Sequence, residues 1–308
     1  MEINNPRGIL LMALGMALFA VADTIAKVLL EHYPPAQVVF LRQLGLFFGV
    51  NFIMFYNLKW VGKSQNLTKQ LLRGLSATGS AVIFLFGLRT IPIADATAIA
   101  FVAPLFVIIF SYFILKEPIG IRRWLAVVIG FSGTLIIIRP GFEVINLGHL
   151  FIIIAALLFA LRQIISRLLA ATDDPVTTAF FTAYTSVFIF LLFQPWVWTP
   201  ITNTNHIFLF FIYAACAGTA EFLVIKSLQI AHAVVVSPLQ YTLLIWVTIF
   251  GFVIWGIFPD FWTFMGAGII IATGLYSLHR ERLKNRVEDN FSRSEEHTSE
   301  LQSPMYLV

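Results

Sequence analysis

Ten apolar stretches, each close to 20 residues long, follow one another along this chain with short polar breaks between them. They fall at 8–30, 35–56, 71–90, 94–115, 122–139, 148–170, 175–198, 206–228, 232–257 and 260–279. A bilayer core takes about 20 apolar residues per helix, with every backbone N–H and C=O satisfied inside the segment. The pattern therefore predicts an all-α integral membrane protein with ten transmembrane helices. Composition agrees, because 59% of the 308 residues are hydrophobic and only 12% are charged. A soluble domain carries about 25% charged residues, so a soluble enzyme is excluded.

Turn and breaker residues separate the spans: Tyr33-Pro34-Pro35, 59–69, Ile91-Pro92, Lys116-Glu117-Pro118, Arg139-Pro140-Gly141, Asp173-Asp174-Pro175, 200–205 and Pro259-Asp260. The first stretch is too long for the core of a secretory signal. It contains Asp23 and meets no small-residue cleavage site before the next span, so it reads as a mature helix.

The net charge of +4 does not point to nucleic acid, since Lys and Arg sit in short runs between apolar stretches instead of on one basic face. Their distribution predicts orientation. With the N-terminus inside, Arg7, Lys59, Lys63, Lys69, Arg73, Lys116, Arg122, Arg123, Arg167, Lys226, Arg280, Arg282, Lys284 and Arg286 are cytoplasmic, and Lys27, Arg89 and Arg139 lie opposite. Both termini are expected on the cytoplasmic side of the cytoplasmic membrane. The single Cys216 allows no internal disulfide and reads as a small core residue.

The chain also matches itself weakly. At an offset of 140, Gly8 meets Gly148, Phe19-Ala20 meets Phe159-Ala160, Lys27 meets Arg167, Leu29 meets Leu169, Pro35 meets Pro175 and Phe40 meets Phe180. At 138, Leu105 meets Leu243, Trp124 meets Trp262 and Gly130 meets Gly268. This predicts two five-helix repeats at 8–140 and 148–280. An odd number of spans per repeat turns the second upside down, an arrangement suited to opening alternately to either side.

The run Asp95-Ala96-Thr97-Ala98-Ile99-Ala100-Phe101-Val102-Ala103-Pro104-Leu105-Phe106, then Lys116-Glu117-Pro118, Arg123-Trp124-Leu125, Gly130-Phe131-Ser132-Gly133 and Arg139-Pro140-Gly141, resembles the first repeat of EamA-type members of the drug/metabolite transporter superfamily. In the second half, Ala231-His232-Ala233-Val234-Val235-Val236-Ser237-Pro238-Leu239-Gln240-Tyr241-Thr242, then Phe258-Pro259-Asp260 and Gly266-Ala267-Gly268, is similar to that family's second repeat. The resemblance covers about residues 8–280. It implies a ten-helix bundle that moves small organic metabolites, often amino acids or related compounds, through a cavity between the repeats.

An ionisable side chain deep in a span costs about 2.5–3.5 kcal/mol to insert, so Asp23, Arg42, Arg162 and Glu221 each need a reason. Asp23 and Arg42 lie equally far from the first interhelical turn near residues 32 and 33, which brings them to one depth. They read either as a hairpin lock or as part of the substrate pathway. Arg162 and Glu221 stand roughly fifteen residues into spans that run in the same direction and meet in the inner half. They read as a compensating salt bridge or as a site for a zwitterion, and a carboxyl at Glu221 in a dry cavity could carry a coupling proton.

Gln163, Gln240, Tyr241 and Trp246 are candidate cavity lining, although each alone suits helix–helix contact equally well. Pro104 and Pro238 are candidate helix breaks that free backbone carbonyls for a ligand or a bend. Gly45 with Gly49, and Gly130 with Gly133, read as close helix contacts. Lys27 and Arg167 read as anchors that snorkel to the interface.

Rival classes find little support. There is no H-E-x-x-H, no G-x-S-x-G and no cysteine–histidine cluster, so no enzyme, metal or cofactor is expected. Gly62-Lys63-Ser64 ends like a phosphate loop, but Asn57 stands where its first glycine belongs. A passive channel or a non-transporting scaffold remains the alternative to a carrier. The polar tail at 285–308 reads as a solvated cytoplasmic extension, although 292–308 also resembles a stretch that sequencing-adapter contamination appends to unrelated chains.

Overall fold

The computed structural model describes residues 5–57, 63–116, 120–139, 146–169, 172–173, 175–230, 237–276 and 279. The motif segment 231–236 and the tail 285–308 lie outside the described residues. Among the described residues all regular structure is helical: α1 (Asn5–Leu29), α2 (Pro35–Asn57), α3 (Leu67–Thr90), α4 (Ile93–Ala100), α5 (Ala103–Ile114), α6 (Ile121–Ile138), α7 (Leu147–Leu169), α8 (Pro175–Val197) and α9 (Thr204–Ile230). A short 3-10 turn (Ser237–Tyr241) leads into α10 (Thr242–Trp255), and α11 runs over Phe261–Tyr276. Six segments are long and apolar enough to cross a bilayer, and shorter apolar helices accompany them. At 1.5 Å per residue a helix of 23 residues such as α2 is about 35 Å long, enough for a core of about 30 Å.

The expected span at 94–115 is two helices. Phe101 and Val102 turn between α4 and α5, and Pro104 sits in the first turn of α5, where its missing N–H is tolerated. Proline thus breaks the helix just ahead of itself: Ala100 loses the donor it would have had four residues on. The second half has a comparable interruption at the 3-10 turn that contains Pro238. The two breaks meet, with the Phe101 and Tyr241 rings edge to face at 5.1 Å.

The exterior carries large apolar side chains around its girth. Phe55 is 81% exposed, Trp196 80% and Phe211 71%. Such a girdle has no place in water, and lipid is the solvent that accepts it. This is a multi-pass membrane protein. Several hydroxyls inside the helices are satisfied locally: Thr24 donates to Ala20 O at 2.7 Å, Thr78 to Gly74 O at 2.8 Å and Thr97 to Ile93 O at 2.9 Å.

Among the pairings of α1 to α10, α1 with α9 and α3 with α7 are the most extensive, followed by α2 with α8 and α1 with α10. Small residues permit the closest approaches. A Cβ on Gly133 would stand 2.8 Å from the Gly266 carbonyl oxygen, and one on Gly266 2.5 Å from that of Gly133, so α6 and α11 touch backbone to backbone. Gly45 likewise abuts Ala214 of α9, whereas Gly49 faces open space and makes no helix contact.

Candidate functional site

At one end of the bundle, called here the Pro92 end, a cavity of about 210 Å³ opens between α1, α4, α6, α10 and α11. Lys27 reaches it from the last turn of α1 and donates to Leu88 O at 2.8 Å and Ile91 O at 2.5 Å, carbonyls at the end of α3. Its ammonium also lies 5.9 Å from the Trp255 ring centroid. Lys27 is thus a hydrogen-bonded strut, a stronger tie than the snorkelling expected of it.

Arg139 caps α6 in a left-handed conformation with φ of 49°, uncommon for a residue with a Cβ. Its guanidinium pairs with Asp260 just ahead of α11. The Thr263 N–H donates to Asp260 at 2.8 Å, and the Thr263 hydroxyl donates to Asp95 of α4 at 3.0 Å. Burial alone would push the Asp260 carboxyl up, but Thr263 and Arg139 outweigh it and hold it below the ordinary carboxylate range.

Nearby, the Tyr33 hydroxyl and His206 Nδ1 are hydrogen-bonded at 2.8 Å, and Gln37 exchanges two bonds with the Thr199 backbone at 2.8 and 2.9 Å. At the opposite, Asp173 end, the Asp173 carboxylate accepts from Ser64 Oγ, from the Gln65 N–H at 3.1 Å and from Gln70 at 2.7 Å. Burial opposes ionisation there too, yet these donors hold Asp173 below its usual range.

Between the two ends runs a column of charge. By helical rise, Asp23 (α1) and Arg42 (α2) stand about 9–10 Å below the Pro92 end of their helices, Tyr213 (α9) about 14 Å, Arg162 (α7) about 22 Å, and Glu221 (α9) and Arg73 (α3) about 25 Å. Arg42 lies within electrostatic range of Asp23 and Glu221, with the Tyr213 phenol beside it. Glu221 in turn attracts Arg162 and Arg73, and Arg162 feels repulsion from Arg42.

The expected pairs Asp23–Arg42 and Arg162–Glu221 therefore join one network, and among the described residues neither closes to ion-pair contact. Asp23, Arg42 and Arg162 stand deep along their helices and each keeps partial exposure.

The neutral candidates scatter. Gln163 and Gln240 are exposed, Trp246 is 37% exposed and stacks on Phe250, and Tyr241 is half-buried against Phe101. Two members of the column escaped the sequence reading. Arg73 was counted with the loop basics, but it lies in the second turn of α3, where Nε donates to Ser166 Oγ at 2.7 Å and Nη1 to Thr182 Oγ1. Tyr213 is hidden in an apolar run and only 1% exposed. Among the described residues no group of three or more His, Cys, Asp or Glu is placed to hold a metal.

Comparison with known proteins now bears on this geometry. The model of the EamA-like transporter family matches the chain twice, at residues 6–139 and 146–277. A protein of Rickettsia prowazekii (strain Madrid E) named S-adenosylmethionine uptake transporter is 28% identical over 281 residues, 89% of this chain and 93% of its own. A riboflavin transporter of Vibrio cholerae serotype O1 is 28% identical over 293 residues, 90% of this chain and 94% of its own. A protein known from a crystal structure superposes with a TM-score of 0.61 at 16% identity, over 91% of this chain and 99% of that one. At that identity the likeness concerns the fold alone.

Proposed function

Because this chain belongs to the EamA-like transporter family, we propose that it is a secondary transporter that moves a small organic metabolite, an amino acid or related compound, across the cytoplasmic membrane by alternating access. The observation that carries the reading is the charged column from Asp23 to Arg73. Its members come from α1, α2, α3, α7 and α9, and the partial exposure of Asp23, Arg42 and Arg162 deep along their helices supports a shared polar space between them. Buried charges facing such a space mark a polar pathway through lipid-solvated helices.

The architecture in this reading is ten crossings in two inverted repeats, with α4 and α5 making one crossing and the 3-10 turn and α10 belonging to another. The double family match supports it. So does the pairing pattern: exchanging repeats turns α1 with α9 into α7 with α3, and α1 with α10 into α7 with the α4/α5 crossing, and both images are packed. The Pro92 end faces outward and both termini are cytoplasmic, as the basic residues favour. The names of the relatives support a soluble metabolite as cargo, in those proteins S-adenosylmethionine and riboflavin.

Counterflow in proteoliposomes is the test. Preloaded unlabelled S-adenosylmethionine, methionine or riboflavin should accelerate uptake of the same labelled compound; a channel or scaffold shows no such trans-stimulation. Glu221 is the candidate site for a coupling proton. Glu221→Gln should flatten the pH dependence of uptake, and unchanged rate and pH profile would remove Glu221 from the mechanism.

A further inference from the structure

A guanidinium has five N–H donors, and among the described residues Arg162 gives none of them to a protein acceptor. Its Nε is wholly buried without a partner. Its guanidinium carbon lies 4.6 Å from the Phe159 ring centroid, a contact that uses no N–H, and Glu221 attracts it without closing to an ion pair. Buried donors in folded proteins are nearly always paired, so the unpaired Nε calls for an explanation.

The charges around it sharpen the point. The column holds three arginines, Arg42, Arg73 and Arg162, against two carboxylates, Asp23 and Glu221, one positive charge in excess. Arg42 has Tyr213, Asp23 and Glu221 about it. Arg73 is tied to Ser166 and Thr182. The cation without a hydrogen-bonding or ion-pair partner among the described residues is Arg162, partly exposed within the bundle.

We propose that Arg162 receives a carboxylate of the transported metabolite, and that this pairing selects carboxylate-bearing compounds. The inference rests on the transporter reading. A carboxylate fits the planar fork with two parallel hydrogen bonds and brings the one negative charge the column lacks. A phosphate dianion would overshoot that balance, and a neutral ligand would leave it uncorrected. Arg73, held off by its own hydrogen bonds, adds to the positive field without touching the ligand.

The test uses the full chain in proteoliposomes with matched probes: the amino acids, lactate and S-adenosylmethionine, each beside its amide, with riboflavin as a probe lacking a carboxylate. In the wild type at least one acid should move about tenfold or more faster than its amide, the range a charge-assisted hydrogen bond supports. Arg162→Gln should bring that ratio close to one, and Arg162→Lys should retain part of it. Because the readout is a ratio within one preparation, partial loss of folded protein does not imitate the effect, and the lysine variant serves if the glutamine variant fails to fold.

Equal movement of acid and amide, movement of riboflavin alone, or a ratio that survives Arg162→Gln overturns the carboxylate assignment and leaves transport standing. A panel in which nothing shows counterflow overturns both.

Discussion

The cavity at the Pro92 end and the charged column both hold opposite charges within the same bundle, but they treat them differently. In the cavity, Lys27 has two carbonyls and a Trp255 face, Arg139 has Asp260, and Asp95 has the Thr263 hydroxyl. In the column, Arg162 donates to no described residue and the acids stand off from the arginines without contact. Matched charges tie helix ends together, whereas unmatched ones raise the energy of the empty protein and are left for a ligand. Stability should therefore reside in the first region and transport in the second, and substitutions can pull the two apart.

The largest effect is expected where the cavity's wall depends on backbone contact. Gly266→Ile would force a side chain into the Gly133 carbonyl, which an added Cβ already approaches to 2.5 Å. That should separate α6 from α11, and with them Arg139 from Asp260, at a cost of about 3 kcal/mol or more. Thermal unfolding in detergent reads it out. A melting temperature within 2 °C of wild type, a limit of roughly 1 kcal/mol or less, would show that the two helices do not need this approach.

Lys27→Met comes next. It removes two hydrogen bonds from a charged donor and leaves the Leu88 and Ile91 carbonyls without that partner, a loss of about 2–4 kcal/mol. If Lys27 only snorkels, methionine should cost less than about 0.5 kcal/mol, the usual size of a surface change.

Arg162→Leu sharpens the contrast because its sign reverses. A buried charge without a partner is costly to hold out of water, so the variant should unfold at the same temperature or higher, by up to about 2 kcal/mol, while carboxylate transport is lost. A stability loss beyond about 2 kcal/mol would mean that Arg162 braces the fold through Glu221, and the division between the two regions would fail.

The division was only partly legible in the sequence. Apolar run length announced the membrane helices, because lipid leaves a helix little alternative, and Pro104 announced a break within two residues of where it occurs. Asp23, Arg42, Arg162 and Glu221 were visible because charge in an apolar run is rare. Their joining into one network was not, since it depends on guanidinium reach across helix neighbours that no local pattern encodes. Arg73 was missed because a basic residue near a span's end looks the same whether it faces the cytoplasm or turns inward onto Ser166 and Thr182. Gln163 and Gln240 both stand at exposed positions, and a polar residue in a span carries the same local signature whether it lines a pathway or meets a neighbouring helix.

The smallest effect tests whether the cavity's charges act as surface charges. Asp260 is 40% exposed at its side chain, and Thr263 and Arg139 hold its carboxyl below the unfolded value of about 3.9. A depressed pKa means that the ionised form is the one the fold stabilises. Its contribution is complete above pH ~4 and disappears as the pH falls through the folded-state value. Asp260→Asn should thus lower stability by about 0.2–1 kcal/mol at pH 7, and the gap between variant and wild type should close toward pH 3. The gap should also shrink in high salt, because solvent reaches the pair. A gap that persists unchanged at pH 3 would show that the charge of Asp260 is not what the fold uses, because asparagine accepts from the Thr263 N–H about as well as aspartate. The pairing of α6 with the start of α11 would then rest on helix-end geometry, not on the charge of Asp260.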